Sequence, residues 1–291
     1  MHVPVMLAEC LEYLQVHEGG VYLDATAGLG GHTGAIARRA GPGGLVLACD
    51  RDAESLAMAG ANTAEFGARI HFHQALFSQV GGVLAAETIP QLDGLLADLG
   101  VSRYQLTTGE RGFSFAAEGP LDMRMSRERG QTAADIVNFE SEQTLADLIY
   151  QLGEERRSRR IARAIVRARP IQTTGQLAKL IEGAAPRTGK LHPATQTFMA
   201  LRLAVNRELE ELDALLEAIP AVVKPGGRAV IITFMSLEDR KVKQKFQALA
   251  KEGRARILTR HVVRPTEEET RANPPSRSAK LRALQLAEIE T

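Results

Sequence analysis

The sequence predicts an α/β fold: a mostly parallel sheet covered on both faces and interrupted by an all-helical insert. Three observations lead there. Short apolar runs alternate with helix-period stretches through the first hundred residues, and the runs are too continuous to be half-exposed strands. The alternation stops near Arg103 and resumes beyond residue 197. Hydrophobic residues make up 44% of the 291 and charged residues 24%, ordinary values for a globular chain that exclude collagen-like or wholly disordered classes.

The elements follow in order. An N-terminal helix carries Cys10, and Gly20–Asp24 (GVYLD) is a strand that runs into a glycine-rich turn. His32–Arg39 reads as a helix broken at Gly41–Gly44, Leu45–Asp50 (LVLACD) as a second buried strand, and Ala53–Phe66 as a helix. Ile70–His73 is a third strand, and Gly94–Asp98 ends a fourth. The interruption holds a loop over Thr108–Gly119 and helices over Ser141–Leu152, Arg156–Ala168 and Thr174–Gly183. Beyond it come a helix over Phe198–Ala218, a strand at Arg228–Phe234 and a helix over Leu237–Lys251. Strands at Arg256–Val263 and Leu281–Glu288 close the chain. The expected division is 1–105 with 198–291 as a nucleotide-binding unit, and 106–197 as a helical insert.

Aromatic residues are scarce at 4% and Trp is absent, so the core must be aliphatic. Two cysteines define neither a disulfide framework nor a zinc pattern, and the scattered acids suggest no metal. No apolar run is long enough to span a membrane and the N-terminus lacks the regions of a signal peptide, so a soluble cytoplasmic protein is expected. The net charge of +1 is uninformative, but its distribution is not. Residues 1–100 carry 4 Lys/Arg against 11 Asp/Glu, while residues 101–200 carry 15 against 11. An acidic scaffold and a basic insert suit a polyanionic partner.

The first strand delivers Asp24-Ala25-Thr26-Ala27-Gly28-Leu29-Gly30-Gly31-His32. Gly28, Gly30 and Gly31 let the backbone turn sharply beside a ligand, and Asp50 closes the next strand where a carboxylate can accept from ribose hydroxyls. The dinucleotide pattern needs a third glycine at 33, which is Thr33; the looser spacing does reach Gly34. An acid at Asp50 would repel a 2′-phosphate, and Asp24 would face a pyrophosphate at a cost. A cationic amine suits Asp24 better, so the turn favours S-adenosylmethionine over NAD(P). Asp98, ending the fourth strand, converges with Asp24 and Asp50 beyond the carboxyl ends of the strands. A tight strand-to-helix turn with a solvated acid is the competing reading for the glycines and Asp50, and a helix cap or loop acid that for Asp98.

Further strings carry more than a fold. Pro4-Val5-Met6-Leu7, preceded by His2-Val3, is followed by Gly30-Gly31-His32 and Asp98-Leu99-Gly100-Val101-Ser102. Arg111-Gly112-Phe113-Ser114-Phe115, Gly119-Pro120-Leu121-Asp122-Met123-Arg124-Met125 and Gly153-Glu154-Glu155-Arg156 come next. His192-Pro193-Ala194-Thr195, Ser236-Leu237-Glu238-Asp239-Arg240 and Asn273-Pro274 complete the series. Nearly end to end, the chain resembles the MraW (ribosomal methyltransferase H) family, which methylates N4 of a cytidine in bacterial small-subunit ribosomal RNA.

The resemblance implies a class I SAM-dependent methyltransferase (Rossmann-like) sheet with an inserted all-helical substrate-recognition domain. Its cofactor contacts would be Gly30, Gly31, His32, Asp50, Phe77, Asp98 and Gln105. Its partner would be the small ribosomal subunit with its 16S rRNA, and it leaves room for a homodimer. Six positions depart from the family's usual residues: Leu76 for Asn, Arg103 for Ser, Ser126 for Asp, Gln196 for Arg, Met199 for Gln and Met235 for His.

The chemistry adds roles. The N4 lone pair is delocalised into the ring, so an acceptor for its N–H groups assists attack; Asp98 is the expected catalytic acceptor. C5 methylation needs a cysteine nucleophile, and neither Cys10 nor Cys49 lies in a loop at the crevice. Asp122 and Arg124, polar in an apolar stretch, are expected to clamp the target nucleotide. Phe113, Phe115 or Tyr104 is expected to stack on it. Arg156, Arg160, Arg163 and Arg167 form one helical stripe for phosphates, and His192 joins them as an RNA contact. Arg277, Lys280 and Arg282 form a weaker patch. Two rivals remain: a SAM-binding assembly factor without methyl transfer, and an NAD(P)-dependent oxidoreductase.

Overall fold

The computed structural model describes residues 4–128, 130–187, 189 and 191–288; His2 and Val3 of the opening string lie outside them. The chain divides into two compact units, Met1–Gly100 with Glu210–Thr291, and Val101–Leu209. The helical unit thus begins before, and ends after, the 106–197 expected.

The first unit is an α/β sheet. Its strands are β1 (Val21–Asp24), β2 (Leu45–Asp50), β3 (Ile70–Gln74), β4 (Leu92–Asp98), β5 (Val223–Thr233), β6 (Ala255–Ile257) and β7 (Lys280–Leu286). They lie in the order β3-β2-β1-β4-β5-β7-β6. β1 to β5 pair in parallel, whereas β7 runs antiparallel to both β5 and β6. Strand order reverses between β1 and β4, and there the carboxyl ends deliver Asp24 and Asp98.

The continuous apolar runs are explained by two covered faces. Leu23, Leu47, Leu95, Ala97 and Ile231 point into one cluster, while their alternates Tyr22, Val46, Leu96, Val230 and Ile232 point into another. Helices α1 (Leu7–Leu14), α2 (Gly31–Ala40) and α3 (Ala53–Asn62) contribute to the second cluster. Helix α4 (Val80–Ala86) contributes to the first.

The second unit contains α5 (Arg103–Thr107), α6 (Ala133–Phe139), α7 (Glu142–Gly153), α8 (Ser158–Ala168), α9 (Thr174–Ala184) and α10 (Thr195–Asn206). Leu145, Ile149, Ile161, Ile165, Leu177, Ile181 and Leu201 centre its separate core. Helix α11 (Glu208–Val222) leads back to the sheet, where it and α12 (Ser236–Lys251) join α4 on the first cluster; α13 (Glu267–Ala272) precedes β7.

Several expected elements differ. The helix foreseen over Ala53–Phe66 ends at Asn62, and Phe66 belongs to a 3₁₀ turn with Gly67 at φ 53°. The single helix foreseen over Phe198–Ala218 is two, because Arg207 is left-handed at φ 49°. α8 begins at Ser158, since Glu155 accepts from the Arg157 amide and side chain in the turn before it. The strand expected over Arg256–Val263 is the shorter Ala255–Ile257, with Val263 adding an isolated bridge to Leu281. Short α4, α5, α6 and α13 carry too few turns for their periodicity to register. Among the described residues no helix is long and apolar enough to cross a membrane.

Candidate active site

Sequence-predicted residues fall in both units. In the first, the glycine turn links β1 to α2. Gly28 at φ 51° and Gly30 at φ 86° need the left-handed backbone that glycine tolerates. Gly30 and Gly31 also serve packing inside the chain. A Cβ on Gly30 would lie 2.9 Å from Thr63 Cγ2, and one on Gly31 would lie 2.5 Å from Pro4 Cγ. These two glycines therefore seat α3 and the N-terminal segment whatever they do for a ligand.

Asp24 is fully buried. Its Oδ1 accepts from the Thr26 amide at 3.1 Å and its Oδ2 from Thr33 Oγ1 at 2.6 Å. Asp24 thus holds the turn, and Thr26 and Thr33 are the partners that pattern reading missed. Asp50 closes β2 and ties the glycine turn to it: Oδ2 accepts from the Gly28 amide at 2.9 Å and Oδ1 from the Asp52 amide at 2.9 Å. Burial raises the Asp50 carboxyl to about 6, against the lowering effect of those two amides. It remains partly exposed, with lone pairs left for two hydroxyls. Phe77, in a 3₁₀ turn after β3, is partly buried against the first apolar cluster and presents its remaining surface outward.

Asp98 differs from the other acids. Its amide donates to Thr26 Oγ1 at 2.7 Å, which fixes the end of β4 to the glycine turn. Its Oδ1 is buried without a hydrogen-bond partner among the described residues. Its Oδ2 lies 3.8 Å from Nδ1 of His32, a histidine only 6% exposed. Burial, then the nearby Asp24, Glu238 and Glu269, push this carboxyl well above the usual carboxylate range. An acceptor buried and left unsatisfied costs about 1–3 kcal/mol, and no described residue supplies this atom with a donor. It is suited to a donor N–H group of a cofactor or substrate.

In the helical unit, Gln105 is buried and caps α5, its Oε1 accepting from the Ser102 amide at 3.0 Å. Asp122 and Arg124 form a bidentate pair, Arg124 Nε to Asp122 Oδ1 at 2.7 Å and Nη2 to Oδ2 at 3.0 Å. Burial pushes Asp122 up, but the Arg124 guanidinium and amide outweigh it and hold the carboxyl below its usual value. The loop around them is braced by two buried groups that sequence reasoning did not single out. Arg111 donates to the carbonyls of Arg124 and Met125. Asn206 accepts from the Met125 amide and donates to the Met123 carbonyl, each at 2.8 Å. A buried Arg inside the RGFSF string was the available signal.

Three residues expected to contact RNA sit in surroundings that the sequence did not show. Phe113 is 6% exposed and belongs to the helical core. His192 stacks on Phe115 at 4.4 Å and pairs with Glu182 at 2.8 Å, a bracing arrangement. Arg156 lies in the turn before α8, so the helical stripe is Arg160, Arg163 and Arg167, all exposed, with Arg163 donating to Glu142. In the sheet unit, Arg282 and Lys280 of the C-terminal patch are engaged by Asp239. One of the departures also has a structural role: the Gln196 side chain donates to the Glu154 carbonyl.

The MraW methylase family matches residues 1–287. The ribosomal RNA small subunit methyltransferase H of Solibacter usitatus is 60% identical over 286 residues, covering 98% of this chain and 100% of the relative. The protein of the same name from Acidobacterium capsulatum is 50% identical over 293 residues, covering 98% of each. That from Syntrophobacter fumaroxidans is 47% identical over 305 residues, covering 98% of this chain and 96% of the relative. With an α/β sheet whose switch point gathers Asp24, Asp98 and a glycine turn, and with this match along almost its whole length, the chain belongs to the MraW methylase family.

Proposed function

We propose that this chain transfers the methyl group of S-adenosylmethionine to N4 of a cytidine in the decoding region of small-subunit (16S) ribosomal RNA. The observation that carries the reading is Asp98: a buried acceptor with an unsatisfied oxygen, at the switch point of a sheet, beside a glycine turn. Membership of a methylase family and relatives named for the small-subunit RNA support it.

The residues present fit the cofactor. S-adenosylmethionine, when bound, supplies an electrophilic methyl group on a sulfonium. Gly28 to His32 would shape its seat, Asp50 would accept from its ribose hydroxyls, Phe77 would offer a ring face to its adenine, and Gln105 is carried over from the family as a further contact. Asp98 Oδ1 would accept an N–H of the target amino group, drawing the lone pair out of conjugation as it attacks. In the helical unit the Arg160, Arg163 and Arg167 stripe would meet phosphates. The Asp122–Arg124 loop would hold the nucleotide turned out of its stack. The small ribosomal subunit is the expected partner and the cytoplasm the expected compartment.

The test is transfer of tritiated methyl groups to small subunits that lack the modification, with nucleoside mass analysis of the product. Label in N4-methylcytidine is the expected result. No label, with S-adenosylmethionine binding intact, would replace this reading with that of a non-catalytic assembly factor. The role of Asp98 fails if Asp98→Ala binds the cofactor normally and methylates at an unchanged rate.

A further inference from the structure

The N-terminal segment determines which nitrogen of His32 carries its proton. His32 Nε2 lies 3.0 Å from the carbonyl oxygen of Val5. A carbonyl only accepts, so Nε2 bears the hydrogen and Nδ1 of the neutral ring keeps its lone pair. That lone pair faces Asp98 Oδ2 at 3.8 Å, on the side of the carboxyl opposite the unsatisfied Oδ1. The Val5 carbonyl is itself held: the Met6 amide donates to Glu269 on α13 at 2.7 Å, and Pro4 packs against Gly31. Titratable groups from four elements gather around Asp98, namely Asp24 at the end of β1, Cys10 on α1, Glu238 on α12 and Glu269 on α13. Three are acids, which favour a neutral carboxyl at Asp98.

We infer that Asp98 and His32 form a two-step proton relay, in which Asp98 takes a proton at Oδ1 and hands another from Oδ2 to His32 Nδ1. The inference rests on the methyl-transfer reading. As N4 forms its new bond to the methyl carbon, the carbon–sulfur bond breaks and its electron pair stays on sulfur. N4 must then lose one proton. Neutral Asp98 accepts it at Oδ1 while its own Oδ2 proton moves to Nδ1, across a gap that must close by about 1 Å to reach hydrogen-bond length. The carboxyl ends as neutral as it began, and the positive charge rests on the imidazolium. His32 is thus a positioning and proton-holding residue that acts through Asp98.

Two measurements test this. Nitrogen-15 NMR of the histidine rings in the intact free protein reads the His32 tautomer. The expected result is the Nε2–H form with an ionisation that moves in Asp98→Asn. An Nδ1–H form, or a titration indifferent to that substitution, overturns the relay whatever the protein methylates. His32→Gln keeps a donor for the Val5 carbonyl but has no group at Nδ1. It should lower kcat by about 10²–10⁴, the usual share of general acid–base catalysis, with KM for S-adenosylmethionine changed less than about threefold. Its pH profile should lose the acid limb that reports the neutral imidazole. An unchanged rate and profile, in a variant shown by its melting curve to be folded, overturns the relay. Wild-type protein that fails to methylate small subunits sinks the functional reading, and the tautomer experiment still decides the proton sharing.

Discussion

The acids of the sheet unit are alike in the sequence and different in place. Asp24 has a donor within the chain on each oxygen, Asp50 is partly exposed with lone pairs to offer, and Asp98 has one oxygen with no donor among the described residues. Spacing from the glycines marked all three as ligands, because spacing records where a strand ends and not what surrounds its last side chain. Asp50 makes a pH prediction. Its carboxyl, raised by burial to about 6, is a full acceptor for ribose hydroxyls only above that value. Affinity for S-adenosylmethionine should therefore fall as pH drops from 7 to 5, and calorimetric titration of Asp50→Asn should show a weaker, flatter dependence. The sign for folding is the reverse. A raised folded-state value means that the ligand-free chain gains stability from this group at acid pH and loses it as pH rises through about 6.

Among the elements, loops decide more than helices do. The Gly112–Met125 loop has left-handed residues at Gly112 (φ 72°) and Met123 (φ 62°), and Asn206 at the end of α10 bonds it. A Cβ on Gly112 would lie 2.3 Å from the Pro120 carbonyl oxygen and 2.8 Å from the Asp122 amide. Gly112→Ala should cost about 1–2 kcal/mol through backbone conformation alone, with the clash in addition. Denaturant unfolding checks this. Asn206→Ala strands the Met125 amide and Met123 carbonyl, for a loss of about 1–3 kcal/mol per unsatisfied group. The same unfolding measurement reads it, and a loss below about 0.5 kcal/mol, the floor for a single hydrogen bond, would show that the loop stands without that bracing. Strings such as RGFSF and GPLDMRM were visible in the sequence. That Phe113 serves the core while Arg111 holds carbonyls was not, because their partners come from other parts of the fold.

At the scale of the molecule, charge separates along the chain by unit, with an acidic sheet unit and a basic helical one. Replacing Arg160, Arg163 and Arg167 together by Gln should weaken RNA binding uniformly across sequences. The slope of log affinity against log salt should fall by about 3, one for each phosphate no longer neutralised, while cofactor affinity stays unchanged. Salt titration of binding to small subunits measures it, and an unchanged slope would remove α8 from the interface.

The α/β class, the helical interruption, the family and the convergence of strand ends were legible in the residues alone, because buried parallel strands require continuous apolar runs and glycine turns require glycine. Which acid finds donors on both oxygens, and which keeps an oxygen without one among the described residues, came from the packing of the fold. It also turned the last strand antiparallel, split one long helix at Arg207 and locked the tautomer of His32 with a carbonyl 27 residues away. Periodicity reports the face a residue turns inward; hydrogen-bond partners come from whatever the fold brings opposite, and that is written nowhere near the residue itself.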